Sequence, residues 1–136
     1  MTEQKTILDY LRIMVVEDED HLRDVICDSI RHLGIRHVYQ ATDGQEALSL
    51  SEQLRPDMVF CDIQMEPMGG LEYLKRLRYS ADSDFATTPV VFLTGTTDQE
   101  TVMKAKELSV DGFIAKPPRG AAIRDAINRI LNNPAQ

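Results

Sequence analysis

The chain has 136 residues, of which 43% are hydrophobic and 27% are charged, and its formal net charge at pH 7 is -7. This length suits one domain with its own hydrophobic core, so we expect a stand-alone module. The acidic balance argues against nucleic acid as a partner, and the apolar runs are far shorter than the ~20 residues of a membrane-spanning helix, so we predict no membrane partner.

Two cysteines, Cys27 and Cys61, lie far apart in the sequence, each in an apolar stretch. No C-x-x-C pattern joins them, and the first ten residues, MTEQKTILDY, lack the charged-then-apolar layout of a secretory signal. We therefore predict two reduced thiols that pack in the core, and a cytoplasmic location.

Five short apolar runs alternate with helical patterns along the chain, which is typical of parallel βαβ units. A short amphipathic turn or helix is expected within residues 1–11, ahead of the first run. The predicted strands are Arg12 to Val16, Val38 to Ala41, Met58 to Cys61, Val90 to Leu93 and Gly112 to Ala115. The pattern predicts an α/β fold with a doubly wound, five-stranded parallel sheet in the flavodoxin-like order 2-1-3-4-5.

Five helices are predicted between and after these strands from apolar spacing and end signals. The first begins behind an Asp20 N-cap and stops at Gly34, and the second opens after Asp43-Gly44 and ends before Pro56. The third follows Gly70 and precedes a polar loop, SADSDFATT; the fourth runs from about Gln99 to Leu108 behind an Asp98 cap; the fifth spans about Ala121 to Leu131.

Polar side chains follow four of the predicted strands. They are Glu17-Asp18-Glu19-Asp20, Asp62, Thr94 and Lys116. The carboxyl ends of parallel strands lie at one edge of a sheet, and in the order 2-1-3-4-5 the first and third strands flank the point where strand order reverses. We therefore expect Glu17, Asp18 and Asp62 to converge there.

Carboxylates that share a crevice repel one another unless one is protonated or a cation binds. Mg²⁺ suits such oxygen ligands and leaves coordination positions for phosphate oxygens. Lys116 and Thr94 would stabilise phosphoryl oxygens at the same edge, and an aspartate beside Mg²⁺ can act as the nucleophile. The residues thus predict that Asp62 is phosphorylated.

Four motifs in this order carry a family resemblance. They are EDED after the first strand, RPDMVFCD followed by Met65 and Pro67, LTG after the fourth strand, and DGFIAKP. The stretch from about Arg12 to Leu131 resembles the receiver domain of two-component response regulators. The resemblance implies an N-terminal extension at 1–11, a receiver domain at 12–131 and a C-terminal tail at 132–136.

The resemblance implies a role for each site residue. Asp62 is similar to the phosphoacceptor, Glu17 and Asp18 to the acidic metal pair, the main-chain carbonyl of Gln64 to a further metal ligand, Thr94 to the switch hydroxyl, Lys116 to the phosphate-contacting lysine, and Phe113 to the aromatic that moves with Thr94. The Lys116-Pro117 bond is expected to be cis. The implied cofactor is Mg²⁺.

The implied activity is that of a signalling switch rather than an enzyme with an external substrate. A histidine kinase or phosphotransfer protein would donate the phosphoryl group, and the chain would promote only its own phosphorylation and dephosphorylation. An unknown downstream protein would bind a surface formed by the fourth helix, fifth strand and fifth helix.

The sequence departs from the family pattern at several positions. Glu17 stands where Asp is also common, which lengthens the reach and predicts a water between it and the metal. The loop after Asp62 reads MEPMGG instead of the usual Met-Pro-x-Met-Asp-Gly, so proline is displaced by one residue and Gly69 replaces an acidic residue. Gln64 and Thr96 occupy positions that tune phosphoryl hydrolysis in this family.

Three other functions remain open on the same topology. A Mg²⁺-dependent phosphatase or nucleotidyl-processing domain would use a similar acidic edge, but Asp62-Ile63-Gln64 lacks the second carboxylate of D-x-D and the sequence has no G-x-x-x-x-G-K-[ST] loop. A flavodoxin-like cofactor binder conflicts with the acidic EDED, because FMN carries a phosphate. A degenerate receiver would serve only as a docking module.

Overall fold

The computed structural model describes residues 6–95 and 98–132. Its strands are β1 (Arg12–Val16), β2 (His37–Ala41), β3 (Met58–Asp62), β4 (Val90–Thr94) and β5 (Gly112–Ala115). They form one parallel sheet in the order β2-β1-β3-β4-β5, which confirms the predicted fold class and strand order. Three predicted bounds change by one residue: β2 begins at His37, β3 includes Asp62 and β4 includes Thr94.

The helices follow the predicted alternation with one addition. They are α1 (Asp20–His32), α2 (Gly44–Leu54), α3 (Gly70–Arg78), α4 (Ser83–Ala86), α5 (Gln99–Glu107) and α6 (Gly120–Asn132). The polar loop SADSDFATT was predicted without structure, and this was wrong because it contains α4. Asp82 caps that helix, accepting hydrogen bonds from the main-chain N–H groups of Asp84 and Phe85. A 3₁₀ helix at Ile7–Asp9 supplies the short turn expected before β1.

The helix ends correct one predicted cap and support others. Asp20 is the first residue of α1 and not its N-cap; Glu19 holds that position without a side-chain hydrogen bond. Asp43 caps α2 by accepting hydrogen bonds from the two main-chain N–H groups that follow Gly44. Gly34 has a φ of 98°, a conformation that L side chains rarely adopt, which explains glycine just after α1.

Two apolar layers enclose the sheet. Side chains alternate across it, so neighbouring residues of β1 such as Ile13 and Met14 enter different layers. Helices α1 and α6 cover one face, through buried residues such as Ile26 and Ile127. Helices α2, α3 and α5 cover the other. Because both faces are buried, functional side chains collect at the edges of the sheet.

Within the described parts of the chain, none of the helices combines the length and apolar character that crossing a membrane requires.

Candidate metal and phosphoryl site

A pocket of about 290 Å³ opens at the carboxyl edge of the sheet. Asp62 is the last residue of β3, and Glu17 directly follows β1, its neighbour in the sheet. Thr94 ends β4 and Lys116 follows β5. All four residues line the pocket together with Asp18, so the convergence predicted from strand ends is present.

Three carboxylates meet on one side of this pocket. Glu17, Asp18 and Asp62 each offer an oxygen, and these oxygens lie within 4.8 Å of one another. Glu17 is 1% exposed and Asp62 is 5% exposed, whereas Asp18 is open to solvent. Burial raises the pKa of Glu17, and the nearby charge of Asp62 adds to this effect. The cluster therefore favours binding of a positive charge.

Lys116, which directly follows β5, supplies one positive charge. Its Nζ lies 3.2 Å from Glu17 Oε1 and 3.2 Å from Asp62 Oδ2. Burial lowers the pKa of Lys116, but the charges of Asp62 and Glu17 outweigh burial and the net direction is upward. Lys116 is therefore an ammonium group held between the two buried carboxylates.

Two groups that the sequence analysis missed hold Glu17 in place. The main-chain N–H of Glu19 donates to Glu17 Oε2 at 3.1 Å, and Arg23 Nη1 donates to the Glu17 carbonyl at 2.8 Å. Arg23 lies six residues further along the chain, on α1, and no motif marked it. Only the path of α1 through space brings its side chain to the Glu17 carbonyl, so no local pattern could have identified it.

The donor set fits a divalent cation. Among the described residues, Glu17 Oε1 is buried and has no hydrogen-bond partner, and its close contact is the ion pair with Lys116. Lys116 offsets one negative charge, but three carboxylates share the cluster, so a bound cation would offset the charge that remains. Glu17, Asp18 and Asp62 are hard oxygen donors of the kind that Mg²⁺ prefers.

The predicted switch residues lie on neighbouring strands. The main-chain N–H of Lys116 donates to the Thr94 carbonyl at 2.9 Å, which joins the ends of β4 and β5. Phe113 is half-buried, and its ring lies 6.3 Å from that of Phe92 with the planes tilted by 51°. Thr96 falls outside the described residues.

Further residues line the pocket that the sequence analysis did not select. Thr101, on α5, donates through Oγ1 to Asp98 Oδ2 at 2.7 Å. Its place one turn into a helix capped by Asp98 was a signal for this bond. Gln64, the predicted source of a metal-binding carbonyl, lines the pocket and is exposed.

The acceptor loop, residues 63–69, connects Asp62 to α3. The main-chain N–H of Gly70 donates to the Ile63 carbonyl at 2.8 Å, and that of Gly44 donates to the Met68 carbonyl at 2.8 Å. The Lys116-Pro117 bond is cis, as expected, and the Glu66-Pro67 bond in the acceptor loop is cis as well. The loop that departs from the family pattern is therefore closed and in contact with α2.

This fold and this acidic edge define a doubly wound, flavodoxin-like α/β protein with an acidic pocket at the carboxyl edge of its parallel sheet. Comparison with protein families matches residues 13–128 to the family described as Response regulator receiver domain. The chain belongs to that family, and its role is that of a response regulator receiver.

Curated relatives agree with this assignment. The chain is 29% identical over 121 residues to chemotaxis protein CheY-3 of Vibrio cholerae serotype O1, covering 89% of this chain and 92% of that protein. It is 35% identical over 106 residues to the Regulator of RpoS of Escherichia coli strain K12, covering 78% of this chain but 30% of that protein.

Solved structures are similar as well. That of Vibrio cholerae chemotaxis protein CheY4 superposes with a TM-score of 0.80 at 27% identity, covering 88% of this chain and 98% of that one. The signal receiver domain of a signal transduction histidine kinase from Syntrophus aciditrophicus gives a TM-score of 0.81 at 26% identity, covering 92% of each chain.

Proposed function

We propose that this chain accepts a phosphoryl group on Asp62 from a histidine kinase or phosphotransfer protein, in a Mg²⁺-dependent reaction, and that the modification switches a protein-binding surface. The observation that carries the proposal is the convergence of Glu17, Asp18, Asp62 and Lys116 at one pocket. Family membership supports the same reading.

The transfer step follows from the chemistry of Asp62. A carboxylate oxygen of Asp62 attacks the phosphorus of a phosphohistidine, the P–N bond breaks, and the donor nitrogen keeps the electron pair. The product is an aspartyl phosphate. Bound Mg²⁺ would offset the negative charge of the carboxylates and bind oxygens of the phosphoryl group.

The other pocket residues have distinct proposed roles. Glu17, Asp18 and the Gln64 carbonyl would hold the metal together with Asp62. Lys116 lies 3.2 Å from Asp62 Oδ2, close enough to contact a phosphoryl oxygen after transfer. The three carboxylates and Lys116 lie together without a bound donor, which would lower the cost of organising charge in the transition state.

The experiment is labelling by a small phosphodonor, acetyl phosphate, with Mg²⁺, followed by intact mass. Wild type should gain one phosphoryl group, and Asp62→Asn should gain none. Asp28→Asn is the matched control, because Asp28 is an exposed aspartate on α1 that does not line the pocket. Labelling of Asp62→Asn to the wild-type extent would contradict the proposal.

The switch is proposed to run from Thr94 to Phe113. The Thr94 hydroxyl moves to donate to the phosphoryl group, and Phe113, on the adjacent strand, moves inward; the surface of α5, β5 and α6 changes with it. A downstream protein recognises that surface.

Thr94→Ala separates acceptance from switching. We expect this variant to be labelled at Asp62, while the NMR shifts of the Phe113 ring stay close to those of the unlabelled protein because the hydroxyl that drives the motion is gone. Full Phe113 shift changes in labelled Thr94→Ala would refute this route.

A cytoplasmic location forms part of the proposal. The kinase or phosphotransfer donor supports it, and so do the buried free thiols of Cys27 and Cys61, which suit a reducing compartment.

A further inference from the structure

The acceptor loop closes on main-chain atoms beside Asp62. Gly70 donates its N–H to the Ile63 carbonyl at 2.8 Å, so the two ends of the loop meet. A Cβ at Gly70 would collide with the carbonyl oxygen of Asp62. The first turn of α3 therefore lies directly against the residues that carry the phosphoacceptor.

Gly69 extends this contact. A Cβ built on Gly69 would lie 2.9 Å from the Ile63 carbonyl oxygen, a separation that real Cβ atoms essentially never show. The backbone of Gly69 is ordinary extended chain, with φ -83° and ψ 179°. Alanine is thus permitted there by its φ and ψ, and the conflict lies only with Ile63. A carbonyl cannot rotate away as a side chain does, so the loop itself would shift.

The opposite side of the loop has little room for that shift. The N–H of Gly44 donates to the Met68 carbonyl at 2.8 Å. A Cβ on Gly44 would lie 2.9 Å from that oxygen and 3.0 Å from the Gly69 carbonyl oxygen. The start of α2 therefore supports the loop from outside, while Ile63 contacts it from inside.

We propose that Gly69 is a positioning residue for the phosphoacceptor: lacking a side chain, it lets the loop close on Ile63 and so fixes the main chain from Asp62 to Gln64. This inference rests on the proposed function. A side chain at position 69 displaces the Ile63 carbonyl, and with it the Asp62 carboxylate relative to Lys116 and the proposed metal-binding carbonyl of Gln64. The glycine that departs from the family pattern is then required by the course of this loop.

At position 69, the acidic residue that is usual in the family would conflict with the Ile63 carbonyl. Gly69 is the N-cap of α3 and gives it no side-chain bond. Gly69→Asp would restore the acidic residue usual in the family and could cap the helix. Its Cβ still meets Ile63, so we expect Gly69→Asp, like Gly69→Ala, to be labelled more slowly than wild type.

The test compares Gly69→Ala with Gly120→Ala. Gly120 also stands at the start of a helix, and a Cβ there would meet nothing within 4 Å. Labelling rates are measured against acetyl phosphate concentration, and Mg²⁺ binding is measured from the NMR shifts of the Ile63 and Gln64 amides without any phosphodonor. We expect Gly69→Ala to be labelled about tenfold more slowly at saturating donor, since small misplacements of reacting groups cost rate steeply. Its Mg²⁺ midpoint should rise, and Gly120→Ala should match wild type in both readouts.

These readouts separate positioning from folding, because a purely structural loss would lower the folded fraction without changing the Mg²⁺ midpoint of the folded protein. Folded Gly69→Ala with the wild-type rate and Mg²⁺ midpoint would overturn the inference. If Gly69→Ala does not fold, Gly69→Asp, whose side chain can cap α3, is measured in the same way, and a wild-type rate and Mg²⁺ midpoint in that folded variant would overturn the inference equally.

Failure of the proposed function looks different. If wild type is not labelled, or if Asp62→Asn is labelled, the assignment of Asp62 as the phosphoacceptor fails. The inference about Gly69 then fails with it. Normal labelling of wild type combined with an unchanged Gly69→Ala removes only the role of Gly69.

Discussion

Near Asp62, two effects change the pKa of a buried group: the loss of solvation on burial and the negative charge of the pocket. Cys61 directly precedes Asp62, and burial raises the pKa of its thiol, with the charges of Asp62 and Glu17 adding to the rise. On the other face of the sheet, burial raises the pKa of Cys27 to about 11. Both thiols therefore stay protonated near neutral pH, as packing residues do.

The two thiols should react only slowly in the folded protein. At pH 8, about one Cys27 side chain in a thousand is a thiolate, given a pKa of about 11. We expect iodoacetamide to leave both cysteines largely unmodified at pH 8 and to modify both in urea, as measured by mass. Fast alkylation of the native chain would show that burial does not protect them.

The raised thiol pKa also predicts how stability depends on pH. Cys27 holds its proton more tightly in the folded state, where its pKa is about 11, than at its ordinary value of 9.0. Its contribution to the free energy of unfolding is therefore fully present below pH 9.0 and is lost as pH rises toward 11. Cys27→Ala should flatten the decrease in urea midpoint over this range, and a decrease as steep as that of wild type would exclude Cys27 as its source.

At the residue scale, the sequence located the charged groups better than the contacts that hold them. Asp62, Glu17 and Lys116 were predictable because each follows a strand, and parallel strands end at one edge. Arg23 and Gly69 were not, because their roles depend on the path of the chain through space. The positions of polar residues at strand ends predict which side chains meet, but they do not predict which contacts hold those side chains in position.

At the element scale, one arginine joins three segments at the amino edge of the sheet. Arg78, the last residue of α3, has a side chain that is 12% exposed. It donates to the carbonyls of Leu108 at 2.9 Å, Ala86 at 3.0 Å, Thr88 at 2.8 Å and Ser109 at 3.1 Å, and to Asp111 Oδ2 at 3.2 Å. Burial lowers its pKa, and Asp111 opposes that shift. The side chain ties α3 to α4 and to the connection between α5 and β5.

Removing this side chain should destabilise the fold. Arg78→Ala leaves four carbonyls without this donor, and it also removes one of the cations near Asp111, whose side chain is 37% exposed. We expect a loss of about 3 kcal/mol in the free energy of unfolding, chiefly from the lost hydrogen bonds. Arg76→Ala is the control, because Arg76 lies on the same helix in an exposed pair with Glu72 and should cost less than about 0.5 kcal/mol. Urea denaturation measures both, and equal losses would refute the role assigned to Arg78.

The helices and strands were predictable where they were long enough to show a periodic pattern of apolar residues. Strands and the five longer helices agree with the sequence pattern to within one or two residues. Helix α4 has four residues, which is too short for a 3.6-residue period, although its Asp82 cap was visible. The partners of Arg78 lie 8 to 33 residues away in sequence, and no local pattern reports such contacts.

At the scale of the whole molecule, folding assembles the acidic pocket and so links stability to cation binding. In the unfolded chain Asp62 is separated from the adjacent residues Glu17 and Asp18, whereas in the folded chain the oxygens of all three lie within 4.8 Å of one another. A cation that binds only the assembled cluster stabilises the folded state by mass action.

Mg²⁺ should therefore raise the free energy of unfolding. At a concentration 100 times its dissociation constant, the expected gain is about 2.7 kcal/mol. Chelation with EDTA should remove the gain, and Asp18→Asn should lose most of it, while Asp28→Asn keeps it. Urea midpoints with and without Mg²⁺ measure the effect; a gain of the same size in Asp18→Asn would mean that the cation binds elsewhere.

Chemical trapping of the phosphorylated residue shows whether Asp62 is the phosphoacceptor. The chain is treated with acetyl phosphate and Mg²⁺, reduced with borohydride, which converts an aspartyl phosphate to homoserine, and digested for peptide mass spectrometry. We expect homoserine at position 62 only, and only when Mg²⁺ is present. Homoserine at another aspartate, or at position 62 to the same extent in EDTA, would contradict it.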